Sequence, residues 1–244
     1  DSFSLNSVLA PWTAEHGWFE AGTYVDGAVS NSLGGGICQV SSTLYNALLL
    51  AEIEIVERYP HSMSVGYVPL AADAALAGDY KDLVFRNNTD APIYIKSIYN
   101  LGSITFKVYG HDTRPENRTV EYTSETVSTT PIEEEVEEDD SQPKDYEVTV
   151  SSGHTGYVAK LWKHVYIDGK EDETILVNTS TYRMTPKKVV RGTKEEEETT
   201  TEEETTKKHD NKDNDEKETK KHETDVEEPT AAPEPAEDNP EGEQ

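Results

Sequence analysis

The chain has 244 residues with 49 acidic against 22 basic side chains, a formal net charge of −27 that would repel a phosphate backbone and excludes nucleic acid as a partner. Its single cysteine rules out an internal disulfide and a thiolate zinc site, His154, His164, His209 and His222 are too scattered for a metal cluster, and no run of about eighteen apolar residues is present to span a membrane. The charge is uneven: residues 195–244 hold 21 acidic and 6 basic residues with Val226 as their one large aliphatic side chain, which predicts a disordered acidic tail, while 28 acidic and 16 basic residues leave 1–194 at −12.

In chain order, residues 3–33 mix polar and apolar positions around Trp12, Trp18, Phe19, Tyr24 and Val25, with Asp26-Gly27 as a tight turn between two short extended pieces. Trp12, His16 and Trp18 could face a sugar, since aromatic faces stack on pyranose rings, or could belong to the core. Gly34-Gly35-Gly36 then runs into Cys38. From there Val40, Leu44, Leu48 and Ala51 recur at helical spacing, which predicts an amphipathic helix that begins after Gly36 and ends about Glu52. A thiol in the first turn of a helix faces unpaired N–H groups and the positive end of the helix dipole, and both favour thiolate. A lone cysteine is equally a common buried apolar residue.

After the helix, Ile53 and Ile55-Val56 predict a short strand, broken at Pro60 so that His61 lies at a strand edge. Met63, Val65, Tyr67 and Val68 form an extended run to Pro69, followed by an alanine-rich stretch containing Asp73 and a turn at 79–82. Residues 83–85, 93–95 and 104–109 predict three more strands, with a turn at 87–90. One main helix with antiparallel strands is an α+β domain. From Arg114 onward the style changes to thin strands with few residues for a thick core, and Asp168-Gly169 marks a hairpin.

Cys38 at a helix start, His61 at a strand entry and Asp73 past the next strand reproduce the order of nucleophile, imidazole and orienting acid seen in papain-like and transglutaminase-like folds. The thiolate attacks, the imidazole stabilises it and later protonates the leaving group, and the carboxylate fixes the imidazole tautomer. Gly34, Gly35, Gly36 and Gln39 would form the helix-start loop that brings amides to an oxyanion. Asp79 and Asp82 compete with Asp73 for the third role, and Ser41 and Ser42 either line the same mouth or cap the helix.

The stretch from Gly34 through the YPHSMSVGYVP segment to Tyr94, within about Phe3 to Tyr109, resembles the VanW-like family, named after a vancomycin-resistance cluster protein. That resemblance implies a secreted protein of the Gram-positive cell envelope, with an export signal expected upstream of Asp1. Residues 119–194, carried by Gly153, Gly156, the Tyr166 to Glu171 hairpin and the closing Val189-Val190-Arg191-Gly192, resemble a G5 domain. G5 domains are implied to bind N-acetylglucosamine-containing wall polymers or to act as stalks. An acidic insertion at 133–140 departs from that pattern.

The expected organisation is a VanW-like domain over 1–112, a thin all-β G5 domain over 113–194 and the acidic tail over 195–244, with no cofactor and no metal. Its partner is cell-wall glycan or peptidoglycan, at an extracellular, cell-wall or cell-surface location. Two classes of function stay open: a cysteine-dependent amidase or acyl transferase on peptidoglycan stem peptides through Cys38, His61 and Asp73, or a non-catalytic adhesion or scaffold protein.

Overall fold

The computed structural model describes residues 2–25, 28–78 and 80–195. The expected Asp26-Gly27 turn, Asp79 and the tail beyond Glu195 lie outside them. In order come β1 (Ser2–Ser4), the one-turn helix α1 (Leu5–Leu9), a 3-10 turn (Ala14–His16), the hairpin β2 (Glu20–Val25) and β3 (Ala28–Leu33), the main helix α2 (Ile37–Leu50), β4 (Glu54–Glu57), β5 (Val84–Arg86) and the hairpin β6 (Tyr94–Asn100) and β7 (Ser103–Tyr109). The second half is all strand: β8 (Arg118–Thr130), β9 (Glu134–Pro143), β10 (Glu147–Ser151), β11 (Gly156–Ile167), β12 (Lys170–Tyr182) and β13 (Lys187–Lys194). The described chain is therefore mostly β around one long helix.

Each glycine of the run before α2 has its own reason. Gly34 (φ 78°) and Gly36 (φ 88°) adopt the left-handed region that side chains disfavour, and Gly36 is the residue from which α2 starts. Gly35 instead permits close approach, since a Cβ there would lie 2.3 Å from the carbonyl oxygen of Ala21 on β2. The backbone alone thus explains the run, without an appeal to ligand approach.

Helix α2 buries Leu44, Tyr45, Leu48 and Leu49 on one side, and Ser41 and Ser42 beside them. The serines neither cap the helix nor line a mouth. Ser42 accepts the Ala74 amide at 2.9 Å, Ser41 donates to the Ala74 carbonyl, and Asn46 Nδ2 donates to the Ala72 carbonyl at 2.8 Å. These side chains replace a strand ladder for residues 71–76, a fully buried stretch of irregular backbone whose polar groups must be satisfied.

Two expectations for this region are corrected. The run from Met63 to Val68 is not a strand, and His61 sits in the irregular segment between β4 and β5 rather than on a strand edge. Backbone groups of 71–73 are bonded to side chains of α2, Arg58 and β12.

In the second half β11 pairs antiparallel with both β8 and β12, and β13 lies between β10 and β9. Asp168 (φ 51°) and Gly169 (φ 73°) make the left-handed turn that joins β11 to β12, as their sequence predicts. The acidic stretch 133–140 is not an insertion that interrupts pairing. It forms most of β9, parallel to β13, where Lys187, Lys188 and Arg191 stand opposite Glu134, Glu135 and Glu138. Ion pairs of Glu134 with Lys187 (3.0 Å) and Arg191 (2.9 Å) offset the repulsion that kept this run from reading as a strand.

One core crosses the sequence boundary. Leu44, Tyr45, Leu48, Leu83 and Phe85 of the first half share a cluster with Ala159, Leu161 and Tyr182 of the second, and all described residues fall in one compact unit. Glu52, past the end of α2 at φ 56°, reinforces the joint by pairing with Arg114, Arg118 and Lys163.

Candidate active site

Cys38 lies in the first turn of α2 and lines a cavity of about 410 Å³. Its Sγ receives the Leu76 amide at 3.4 Å and points at the Leu76 carbonyl at the same distance, so the buried stretch 71–76 fixes the thiol from one side. His61 lines the same cavity from the loop opposite. Each bears on the protonation of the other across that cavity. The hydrogen bonds of the thiol are those to Leu76.

Asp73 completes the line. Its Oδ2 accepts the His61 ring Nδ1 at 2.6 Å and the His61 backbone amide at 2.7 Å, and its side chain is 1% exposed. With Nδ1 committed to Asp73, the other ring nitrogen faces the cavity, where the Tyr67 hydroxyl is 3.3 Å from it. Asp82 is elsewhere: it holds Ser4 at 2.5 Å and the Asn6 amide at 2.9 Å at the start of α1. Of the carboxylates that compete in sequence, the described structure brings Asp73 to His61 and gives Asp82 a structural place.

The protonation states follow from these contacts. Burial opposes the charge on Asp73, but the bond from His61, the Arg58 guanidinium and the Tyr182 hydroxyl outweigh it and hold the carboxyl down to about 2. Burial likewise lowers the His61 imidazolium, yet its bonds to Asp73 and Cys38 lift it to about 9. For Cys38, burial pushes the thiol up, and the bond to His61, the Leu76 amide and the charges of His61 and Lys81 bring it below its ordinary value. The combination favours thiolate facing imidazolium.

Gly34, Gly36 and Gln39 line the cavity with Cys38, whereas Gly35 is packed on β2. Trp12 also lines it, 6.3 Å from the ring of Trp18, while His16 is exposed and bonded to Thr13, so a groove of all three does not form. Lys81 is the cavity's lysine, donating to the Pro60 carbonyl at 2.9 Å. Among the described residues no group of three or more His, Cys, Asp or Glu side chains is arranged to hold a metal ion.

Several members carry no local signal. Arg58 is 6% exposed and spends its whole guanidinium on the site: Nε on the Asp73 carbonyl (2.5 Å), Nη2 on Asp73 Oδ1 (2.7 Å) and the Ala71 carbonyl (3.2 Å), and Nη1 on Ser180 (2.8 Å) and Asn178 (3.3 Å). Tyr182 donates to Asp73 Oδ1 at 2.5 Å across 109 positions of sequence. Nothing within the PHS segment announces such partners. An arginine three residues before His61 was the nearest available cue.

Comparison with known proteins agrees with this two-part build. Residues 1–109 match the family model described as VanW like protein, and residues 120–194 match that of the G5 domain. The chain therefore carries a VanW-like domain followed by a G5 domain. The uncharacterized protein YoaR of Bacillus subtilis (strain 168) is 41% identical over 112 residues, which make up 46% of this chain and 37% of that protein, so the chain spans well under two thirds of its relative. Two solved structures align with the second half: an IgA1 protease G5 domain (23% identity, TM-score 0.25, 32% of this chain and 94% of that one) and HP0197-G5 (24%, 0.21, 31% and 97%).

Proposed function

We propose that this chain is a cysteine-dependent acyl-transfer enzyme of the cell envelope, acting on peptidoglycan stem peptides, with its G5 domain holding it at wall glycan. The observation that carries the reading is that buried Asp73 holds His61 in the lining of the same cavity as Cys38. A carboxylate with every lone pair engaged, aimed at a histidine ring that faces the chain's one thiol, is expensive to assemble for stability alone.

In the proposed reaction the Cys38 thiolate attacks the carbonyl carbon of a stem-peptide amide. The His61 imidazolium donates its proton to the departing nitrogen, and the C–N bond breaks to leave a thioester on Cys38. Neutral His61 then takes a proton from water or an acceptor amine, which attacks the thioester and returns the thiol group as thiolate. At the head of α2 the Ile37 amide is bonded to Gly34 and those of Gln39 and Val40 to Gly36. The amide of Cys38 itself is the donor best placed for the oxyanion, with the Gln39 side chain at the same rim. Lys81 offers a cation for a carboxylate of the peptide, and Trp12, Ile37, Val65 and Tyr80 supply apolar walls.

Alkylation of Cys38 by iodoacetamide, followed against pH in the whole chain and in His61→Ala, tests the site. An active pair gives a midpoint below the free-thiol value of about 8.5, moving upward once the imidazole is removed. Incubation with purified stem peptides should then add one acyl group to Cys38 by intact mass. A thiol that stays unmodified until the protein unfolds would overturn the enzyme and leave an adhesion or scaffold protein, for which retention on sedimented wall glycan is the measurement.

A further inference from the structure

We infer that the G5 domain is a working part of the cysteine site, and that Tyr182 on β12, together with Asn178 and Ser180 acting through Arg58, positions Asp73 for His61. This rests on the Cys38, His61 and Asp73 reading above and goes beyond it, since it assigns a role at the site to a module otherwise expected to bind glycan or act as a spacer.

The geometry divides the four acceptor positions of Asp73 cleanly. Oδ2 is given to His61, by its ring and its amide, and Oδ1 is given to Arg58 and Tyr182. The Oδ1 side is thus what fixes the carboxylate plane that Oδ2 presents to the imidazole. Both of its holders depend on β12: Tyr182 is part of that strand, and Arg58 is itself anchored on Ser180 and Asn178. Tyr45 of α2 lies under the guanidinium, 5.6 Å from Cζ to the ring centroid, and accepts Asn178 Nδ2 at 3.1 Å, so helix, loop and strand close around one carboxylate.

A second observation points the same way. Ala71, two residues before Asp73, holds φ at 67°, a left-handed conformation that is strained for a non-glycine residue. Its amide donates to Tyr182 at 2.7 Å and its carbonyl accepts Asn178 Nδ2 at 3.1 Å. The strained turn that delivers Asp73 is therefore clamped at both backbone groups by side chains of β12. Tyr182 and Ser180 are 2% and 1% exposed, so no water competes for these bonds. A strand that served only as a tether would have no use for a buried polar cluster on the face it turns to the thiol loop.

The test uses the full chain, with the pH dependence of Cys38 alkylation and the His61 imidazole resonances as readouts and thermal melting alongside. Tyr182→Phe keeps the ring and removes the bond to Asp73. The alkylation midpoint should rise part of the way that Asp73→Asn raises it, alkylation at neutral pH should slow several-fold, and the His61 Nδ1 proton should lose its single hydrogen-bonded signal. Should Tyr182→Phe not fold, Ser180→Ala, which removes one acceptor of Arg58, is expected to shift the midpoint in the same direction by less. Unchanged midpoints in both variants, with Asp73→Asn shifted, would overturn the inference while leaving the cysteine site intact. If Asp73→Asn and His61→Ala also leave the midpoint unmoved, the site reading falls and this inference falls with it.

Discussion

Glu52→Gln probes the joint between the two sequence modules. The Glu52 carboxylate accepts Arg118 through two bonds (2.5 and 2.9 Å), Arg114 at 2.7 Å and Lys163, which together hold its pKa down to about 2 against the burial that opposes the charge. A lowering of that size corresponds to about 3 kcal/mol, and solvent screening at this partly open position reduces it to about 2 kcal/mol. For a unit of this size that is a fall of about 4–8 °C in melting temperature at neutral pH. The sign with pH is fixed by the direction of the shift. A depressed carboxyl stabilises above its unfolded value of about 4.5 and loses that contribution as pH falls through about 2. Differential scanning calorimetry of both chains across that window is the assay. The native protein should lose stability more steeply than Glu52→Gln, so that the two curves converge at low pH. Parallel curves, or a neutral-pH difference below about 1 °C, would refute the claim that this cluster fastens the modules.

Two further outcomes follow from the site and its approach. Turnover should rise as Cys38 ionises below the ordinary thiol range and fall as His61 deprotonates near 9, a bell that Asp73→Asn narrows from its alkaline side; turnover with a single sigmoid rise and no alkaline limb would contradict the ion pair. The stability terms run with it: the His61 contribution is complete below about 6.5 and lost as pH rises through about 9, and that of Asp73 is complete above about 3.8 and lost as pH falls through about 2. Gly35→Ala places a Cβ against the Ala21 backbone and should cost about 1–3 kcal/mol by urea unfolding, whereas Gly36→Ala, whose Cβ meets open space, should cost only the left-handed strain of φ 88°, about 1–2 kcal/mol; no measurable cost at Gly35 would show that close packing on β2 is not what it serves.

What the sequence by itself determined is local. Helix α2 and its start after Gly36, the short strands β4 to β7, and the Asp168-Gly169 hairpin follow from periodicity, glycine conformation and turn chemistry, which act over a few residues. The candidate triad could be named because a helix-start thiol, a histidine just past a proline and a nearby carboxylate are each recognisable by type, although the sequence placed His61 at a strand edge rather than in the loop it occupies. Tertiary structure decided which carboxylate meets His61, because Asp73 and Asp82 differ in no local signal and only packing sends one beneath Arg58 and the other to α1. It decided that 71–74 stays irregular while buried, since α2 and β12 side chains satisfy a backbone that no strand pairs. It made the acidic run a strand, because the neutralising Lys187 and Arg191 lie some fifty residues away in sequence and beside it in space. And it joined Tyr182 to Asp73, for a hydroxyl and a carboxylate separated by 109 positions carry no shared pattern until the fold removes water from between them.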